Sequence, residues 1–279
     1  MPKKRKQKSR SFSGKAPAPI VNIAERRSVR KALQSNRKEG IFLAVPSVSG
    51  RTHYTIPVAF AQAMASSNLA ECPYRFAVHV EAGRRPADHA RNTIVKKFLQ
   101  STDFDWLVMI DEDQGVPENW WQLCAVTDAD IVSGLTPVWV GNQSQEAMLR
   151  PNHYGLNREG HCFNLQFPAD SVKQPYRVPI VGTGCIAIRR RVFAPPPAGL
   201  GVSPFYFTFQ KDRQIMAGED VNFSVDANKL GFTIAVHPGV LFDHCKEIPL
   251  WQVEQYYQAR HKMEAEGRVT TDQQRLSIG

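Results

Sequence analysis

The sequence predicts a single α/β domain, built on a mostly parallel sheet flanked by helices and preceded by a basic tail. Two observations carry this prediction: the apolar runs have the length of buried strands, and they alternate with segments of helical periodicity. Such alternation implies right-handed crossovers, which cover both faces of a parallel sheet with helices. With 279 residues and 42% hydrophobic content, the chain can bury a substantial core.

The first part of the domain alternates regularly between the two kinds of segment. Strands are predicted at 41–47, 76–80, 105–110 and 129–135, and helices at 56–68, 86–101 and 117–126. In the second predicted helix, Ala90, Ile94 and Phe98 recur at helical spacing behind an N-terminal proline. The helical periodicity therefore supports the assignment of this segment.

The pattern is less regular after residue 140. Residues 141–176 are polar and predict a long excursion that helps to shape a binding site. Beyond it we expect strands at 178–190 and 233–239, a loop at 194–204, and helices at 218–231 and 249–267. Acids in the first turn of 218–231 suit the helix dipole, and Gly231 suits a left-handed cap.

The positive charge is concentrated at the N-terminus. Residues 1–40 contain thirteen Lys or Arg and two acids, so their formal net charge is +11. The whole chain has a net charge of +9, so the other 239 residues sum to −2. This predicts a largely disordered basic tail over 1–40 and a near-neutral domain over 41–279. The tail is interpreted either as a tether to nucleic acid or an anionic membrane face, or as a solubilising segment; "PKKRK" is also typical of nuclear import signals.

Other features bear on the compartment. No apolar stretch reaches the roughly 18 residues of a membrane span, and no apolar core follows the basic N-terminus as in a secretory signal. The five cysteines are scattered without any CxxC pair, which favours free thiols in a reducing compartment. We therefore expect a cytoplasmic protein, in the host cytoplasm if it is encoded by a phage.

Three acids, Asp111, Glu112 and Asp113, directly follow the apolar run of 105–110. Ligands of parallel sheets bind beyond the carboxyl ends of the strands, where these acids are expected. In an extended chain Asp111 and Asp113 share a face, and two such carboxylates suit a divalent cation that also binds a diphosphate. The alternative interpretation is a solvated turn.

Two other patterns are rejected. "GTGCIA" at 182–187 fits G-x-G-x-x-A, but a strand rather than a helix is expected to follow it, which argues against a dinucleotide-binding loop. His161-Cys162 and His244-Cys245 lack the paired spacing of a zinc site.

Several segments in this order resemble the GT-A class of nucleotide-sugar glycosyltransferases, particularly its family-two-like bacterial and phage members. The resemblance covers about residues 41 to 245 and rests on "IFLAVPS", "HARNTIVKKFLQSTDFDWLVMIDED", "GTGCIAIRRRVF", "GEDVNFSVDANKLGFTIAVHPGV" and "FDHC". It implies a GT-A (Rossmann-like) fold and the metal-dependent transfer of a sugar from a UDP- or GDP-sugar to a hydroxyl group.

The resemblance also implies roles for particular residues. Asp111 and Asp113 match the DxD motif and, with His244, would bind Mn²⁺ or Mg²⁺. Asp220, or else Glu219, would accept the proton of the acceptor, although both acids also suit a plain first helical turn. The implied donor contacts are Pro46, Ser47, Arg51, Arg91, Asn92, Asp111 and Glu112.

The acceptor is left open. If the tail binds DNA, the acceptors are expected to be hydroxymethylated bases of phage DNA, and we favour this alternative. If the tail binds lipid, the acceptor is expected to be a surface polysaccharide or a lipid-linked glycan. The position of Asp220 resembles that of the base in inverting members. A further alternative is a non-catalytic module that binds a nucleotide sugar or nucleic acid.

Overall fold

The computed structural model describes residues 38–83, 86–100, 103–140, 148–159, 161–209 and 215–246, together with 253–254, 257–258, 261–262 and 265. The chain divides into two units, Met1–Arg37 and Lys38–Gly279, and all the described residues belong to the second. The predicted basic tail therefore lies almost entirely outside the described residues.

Short apolar runs form the strands. They are β1 (Glu39–Ser47), β2 (Tyr74–Ala82), β3 (Trp106–Ile110), β4 (Gln114–Gly115), β5 (Ile131–Leu135), β6 (Pro137–Val140), β7 (Met148–Pro151), β8 (His153–Leu156), β9 (Cys162–Asn164), β10 (Tyr176–Arg177), β11 (Ile180–Val181), β12 (Cys185–Arg189), β13 (Thr208–Phe209), β14 (Ile215–Ala217), β15 (Ile234–Leu241) and β16 (Asp243–His244). All five residues of β3 and all five of β5 are buried, as expected for central strands covered on both faces.

A seven-stranded sheet in the order β10-β15-β5-β12-β3-β1-β2 forms the centre of the domain. β1 is parallel to β2 and β3, and β15 is parallel to β5. β12 runs antiparallel between β3 and β5, and β10 is antiparallel to β15. The predicted mostly parallel sheet is therefore confirmed, with two antiparallel strands inserted in it.

Helices cover both faces of this sheet. The α-helices are α1 (Thr55–Ser66), α2 (Ala87–Gln100) and α3 (Glu219–Lys229), and two 3-10 helices span Trp120–Ala125 and Arg190–Phe193. α1 and the first 3-10 helix pack in one apolar cluster, and α2 and α3 pack in the other, on the opposite face. The predicted α/β architecture with flanking helices is thus confirmed.

The predicted helix at 117–126 is a shorter 3-10 helix. Trp120 donates its N–H to the carbonyl of Pro117, and Gln122 donates to Asn119, which are three-residue spacings. In a 3-10 helix, side chains three residues apart line up, so Trp120 and Leu123 both reach the core. The tighter helix therefore buries this apolar pair within a short segment.

The excursion at 141–176 contains more regular structure than its composition predicts. Its described residues contribute to a β6–β7 hairpin and to a small β11-β8-β9 sheet. The described residues of the predicted C-terminal helix at 249–267 are helical. Within the described part of the chain, no helix is both long and apolar enough to cross a membrane.

Candidate active site

A pocket opens at the carboxyl edge of the sheet, where β1 and β3 end side by side at Ser47 and Ile110. This is the edge at which ligands of parallel sheets bind. The pocket is lined by Pro46, Val48, Ala87, Ala90, Arg91, Asp111, Glu112 and Asp113. The three acids that follow β3 therefore lie at the predicted position.

The acids do not continue the strand. Gln114 donates its N–H to the carbonyl oxygen of Asp111 at 3.1 Å, so residues 111–114 form a turn. The expected alternation of side chains requires an extended chain and does not apply within a turn. As a result, Asp111, Glu112 and Asp113 contact three different sets of partners.

Asp111 pairs with a buried arginine. The Arg91 guanidinium contacts Asp111 Oδ1 at 2.9 Å and Glu219 Oε1 at 3.3 Å, and Arg91 Nη1 is buried without a hydrogen-bond partner among the described residues. Burial lowers the pKa of Arg91, but the two carboxylates together raise it by more. Arg91 thus stays charged, and the two N–H groups of Nη1 have no partner among the described residues.

Asp113 has different partners, a histidine and a lysine. His244 Nε2 lies 3.4 Å from Asp113 Oδ2, and the Lys246 ammonium contacts the same oxygen. Burial alone would raise the pKa of Asp113, but these two contacts outweigh it and hold the pKa well below its ordinary value. Asp113 is therefore an ionised carboxylate beside an imidazole.

The donor types of the expected metal site are present, although they are not assembled as a site. Carboxylate oxygens and an imidazole nitrogen suit Mn²⁺, and the carboxylates suit Mg²⁺. Asp111 is neutralised by Arg91 and Asp113 by Lys246. Across the described ranges, no three His, Cys, Asp or Glu side chains lie close enough together to hold a metal ion. The ligand set Asp111, Asp113 and His244 stays a prediction.

The expected donor-binding residues have distinct surroundings. Pro46 lines the pocket, whereas Arg51 is exposed and is not one of the lining residues. The Asn92 amide donates to Phe205 O at 2.7 Å and accepts from Phe205 N at 3.0 Å, so it anchors the loop that follows the second 3-10 helix. Ser47 donates its hydroxyl to Glu112 Oε2 at 2.5 Å.

The candidate bases begin α3, behind the extended residue Gly218. Glu219 is tied to Arg91 and, through a 3.4 Å hydrogen bond, to the Thr183 hydroxyl. Asp220 accepts from the N–H of Val221 at 2.8 Å, and no side chain in the described part of the chain donates to it. Burial and the neighbouring Glu219 charge raise the pKa of Asp220. A carboxylate with little compensation and a raised pKa is suited to accept a proton.

The backbone of residues 182–184 passes close to both Asp111 and Asp220. Its last residue accepts the Asp111 N–H at 2.8 Å, and a Cβ on Gly184 would lie 3.5 Å from Asp111 Oδ2. A Cβ on Gly182 would lie 3.9 Å from Asp220 Oδ2. The segment then enters β12, a strand, so it is not a dinucleotide-binding loop. Both carboxylates therefore lie within van der Waals reach of this backbone.

Three further residues of the site were not expected from the sequence. Gln114 is buried beside Gly184, and its Oε1 has no hydrogen-bond partner among the described residues. The Asn152 carbonyl accepts the Gly182 N–H at 2.6 Å. Burial and the nearby charge of Asp220 raise the pKa of Tyr154, which therefore lies on the Asp220 side. Of the three, only Gln114 has a sequence signal, because it follows the acids directly.

No protein-family model matches the chain, and no curated protein matches it. Among solved structures, it is similar to A197 from STIV, with 15% identity and a TM-score of 0.42 over 75% of this chain and 86% of that one. It is also similar to GalNAc-T7, solved with UDP, GalNAc and Mn²⁺, with 14% identity and a TM-score of 0.42 over 76% of this chain. The match spans 43% of the length of GalNAc-T7. At these values, neither similarity bears on the activity of this chain.

Proposed function

We propose that this chain is a metal-dependent GT-A-like glycosyltransferase that moves a sugar from a UDP- or GDP-sugar to a hydroxyl acceptor. The observation that carries the proposal is the arrangement around Arg91. This buried cation joins Asp111, at the end of β3, to Glu219, at the start of α3. It therefore brings an anion-binding group and a candidate base, Asp220, to one edge of the sheet.

The donor would bind with its diphosphate against Arg91, whose buried Nη1 has no described partner. Arginine suits this role because its planar donors match phosphate oxygens. Asp111, Asp113 and His244 would hold the divalent cation, which supplies charge neutralisation for the leaving diphosphate when bound. Pro46 and Val48 would form the opposite wall of the pocket.

Asp220 would accept the proton of the attacking hydroxyl. Its raised pKa makes it a better proton acceptor than an ordinary aspartate, and no described side-chain donor competes for it. Glu219 is the weaker candidate, because Arg91 and Thr183 already engage its carboxylate. Attack from the side of Asp220 favours inversion at the anomeric carbon.

For the acceptor, we propose hydroxymethylated bases of phage DNA, in the cytoplasm of the host. The support is the charge of residues 1–40, which contain thirteen Lys or Arg. The hydroxymethyl group of such a base projects into the major groove, where it is accessible in duplex DNA. Surface polysaccharide or lipid-linked glycan is the alternative acceptor class.

A donor screen tests the proposal. Protein with Mn²⁺ is incubated with UDP-, GDP-, ADP- and CDP-sugars, with and without hydroxymethylated DNA, and free nucleotide is measured for wild type and Asp113→Ala. We expect metal-dependent release that falls in the variant and rises with DNA. Release that is unaffected by DNA would redirect the search to glycans. Nucleotide-sugar binding without any release would contradict the enzyme and favour a binding module.

A further inference from the structure

The loop between β1 and α1, residues 48–54, borders the pocket through Val48. We call it the β1–α1 loop. Within the loop, Gly50 donates its N–H to the Ser47 hydroxyl oxygen at 2.8 Å, and Arg51 donates to the Ser49 hydroxyl at 3.1 Å. The two serine hydroxyls therefore organise the backbone of the loop.

Glu112 holds both ends of this loop. Its Oε2 accepts hydrogen bonds from the Ser47 hydroxyl at 2.5 Å, from the Ser49 hydroxyl at 2.8 Å and from the Ser49 N–H at 3.3 Å. Its backbone carbonyl accepts the N–H of His53 at 2.7 Å. One residue at the end of β3 thus fixes the loop to the acidic turn 111–114.

The Ser47 hydroxyl has no hydrogen left for a ligand. A serine hydroxyl has a single hydrogen, and that of Ser47 has two acceptors within the protein, Glu112 Oε2 at 2.5 Å and the Arg51 carbonyl at 3.3 Å. The Ser47 hydroxyl oxygen in turn accepts from Gly50. Ser47 is also 1% exposed.

A carboxylate is a poor direct partner for a diphosphate, because both are acidic groups that carry negative charge near neutral pH. The same carboxylate is a good acceptor for hydroxyl and amide donors, which are the groups that surround Glu112. The hydrogen bonds to Glu112 Oε2 therefore point towards control of the loop.

We propose that Glu112 is a positioning residue, whose carboxylate holds the β1–α1 loop in place as the wall of the pocket against which the nucleotide binds. Its effect on the donor is indirect and passes through Ser47, Ser49 and the backbone of the loop. The donor half of this inference rests on the proposed glycosyltransferase function, whereas the loop half rests on the contacts of Glu112 alone.

The test compares Glu112→Ala, Glu112→Gln and the control Glu118→Ala, which removes an exposed glutamate six residues further along the chain. Alanine removes every acceptor of the side chain, whereas glutamine keeps one acceptor oxygen for the serines. Amide hydrogen exchange of residues 47–55 reports the loop. Calorimetry with UDP or GDP in Mn²⁺ reports nucleotide affinity, and thermal unfolding checks that each variant is folded.

For Glu112→Ala, we expect amide exchange in the loop to accelerate and nucleotide affinity to fall about tenfold, as for the loss of charged hydrogen bonds. Once the donor is saturating, kcat should stay within about threefold of wild type, because Asp220 and Arg91 are untouched. Glu112→Gln should recover most of the affinity, and Glu118→Ala should match wild type.

Unchanged loop exchange in Glu112→Ala would overturn the proposal whatever the ligand. Faster exchange with unchanged nucleotide affinity would overturn the role of the loop in binding. A wild-type protein that binds neither UDP nor GDP would contradict the proposed function and the donor half of the inference, while the exchange data would still decide the loop half.

Discussion

The two acidic segments of the site differ in how their charges are compensated. In Asp111–Asp113, each acid has its own partners: Arg91 for the first, serine hydroxyls for the second, and His244 with Lys246 for the third. In the pair that begins α3, Glu219 is bound by Arg91, but Asp220 has no described side-chain donor.

This difference separates binding from proton transfer. The partners of Glu112 and Asp113 lower the pKa of both acids, which suits the binding of a ligand or a cation, whereas burial raises the pKa of Asp111 despite its contact with Arg91. A carboxylate that is buried with little compensation has a raised pKa, as Asp220 has, and holds a proton more readily. Adjacent acids in the sequence can therefore have separate functions, and the partners of each acid indicate which function it has.

The largest expected effect comes from replacing an acid at the start of α3 by its amide. Asp220→Asn should lower kcat by about 10²–10⁴-fold, the usual contribution of a general base. Nucleotide affinity should change little, because Asp220 does not line the pocket. Glu219→Gln is the matched variant and should retain more activity. Steady-state kinetics with the active donor measures kcat for both variants. An equal loss of kcat in the two variants would contradict the assignment of Asp220, rather than Glu219, as the base.

Removing Arg91 should affect the fold as well as the site. Arg91→Met leaves the carboxylates of Asp111 and Glu219 without their shared cation, which typically costs about 3–5 kcal/mol in a buried pair. Denaturant unfolding measures the loss, with Arg158→Met as the exposed control. Adding Glu219→Gln should restore part of the stability, since one unpaired charge is then removed. A stability equal to that of the control would show that the pairs contribute little.

The pH profile tests the raised pKa of Asp220. A base works only when it is deprotonated, so kcat should fall as the pH drops through the pKa of Asp220, by about tenfold per pH unit below it. Because burial and Glu219 raise this pKa, the fall should begin at a higher pH than for an ordinary aspartate. Glu219→Gln removes one of the causes and should move the acid limb to lower pH. An acid limb that does not move would contradict this coupling.

The smallest effect is expected at Lys246, whose side chain is 52% exposed. An exposed ion pair contributes about 0–1 kcal/mol, so Lys246→Met should barely change the free energy of unfolding. It should instead raise Mn²⁺ affinity a few-fold, because Lys246 and a cation compete for Asp113. Calorimetric titration of Mn²⁺ checks this, with Lys96→Met as the control. Weaker Mn²⁺ binding would show that Lys246 is not a competitor.

The central sheet and the long helices were predictable because they depend on local periodicity. The stripe of Ala90, Ile94 and Phe98 is buried in α2, as its spacing predicts. The segment 117–126 shows the limit of this approach, because its apolar spacing fits an α-helix and a 3-10 helix alike, and only the backbone hydrogen bonds distinguish them. After Ile110 the sequence predicts an extended chain, with a turn as the alternative, and the structure has the turn.

The partners of the site residues were not predictable from local pattern. Arg91 and Glu219 are 128 residues apart, and Ser47 and Glu112 are 65 apart. The sequence predicts that their side chains lie near one edge of the sheet, but it does not predict which donor meets which acceptor. Ser47, Asn92 and Glu112 each form hydrogen bonds within the protein that the sequence did not predict, and their contact with the donor stays a prediction.

The most direct test is turnover of a nucleotide sugar by wild type and by Asp220→Asn, measured with nucleotide affinity on the same preparations. We predict Mn²⁺-dependent release of UDP or GDP by wild type, and loss of that release in the variant with affinity retained. Release at the wild-type rate by Asp220→Asn would contradict the assignment of the base. No release by wild type from any donor would contradict the proposed reaction.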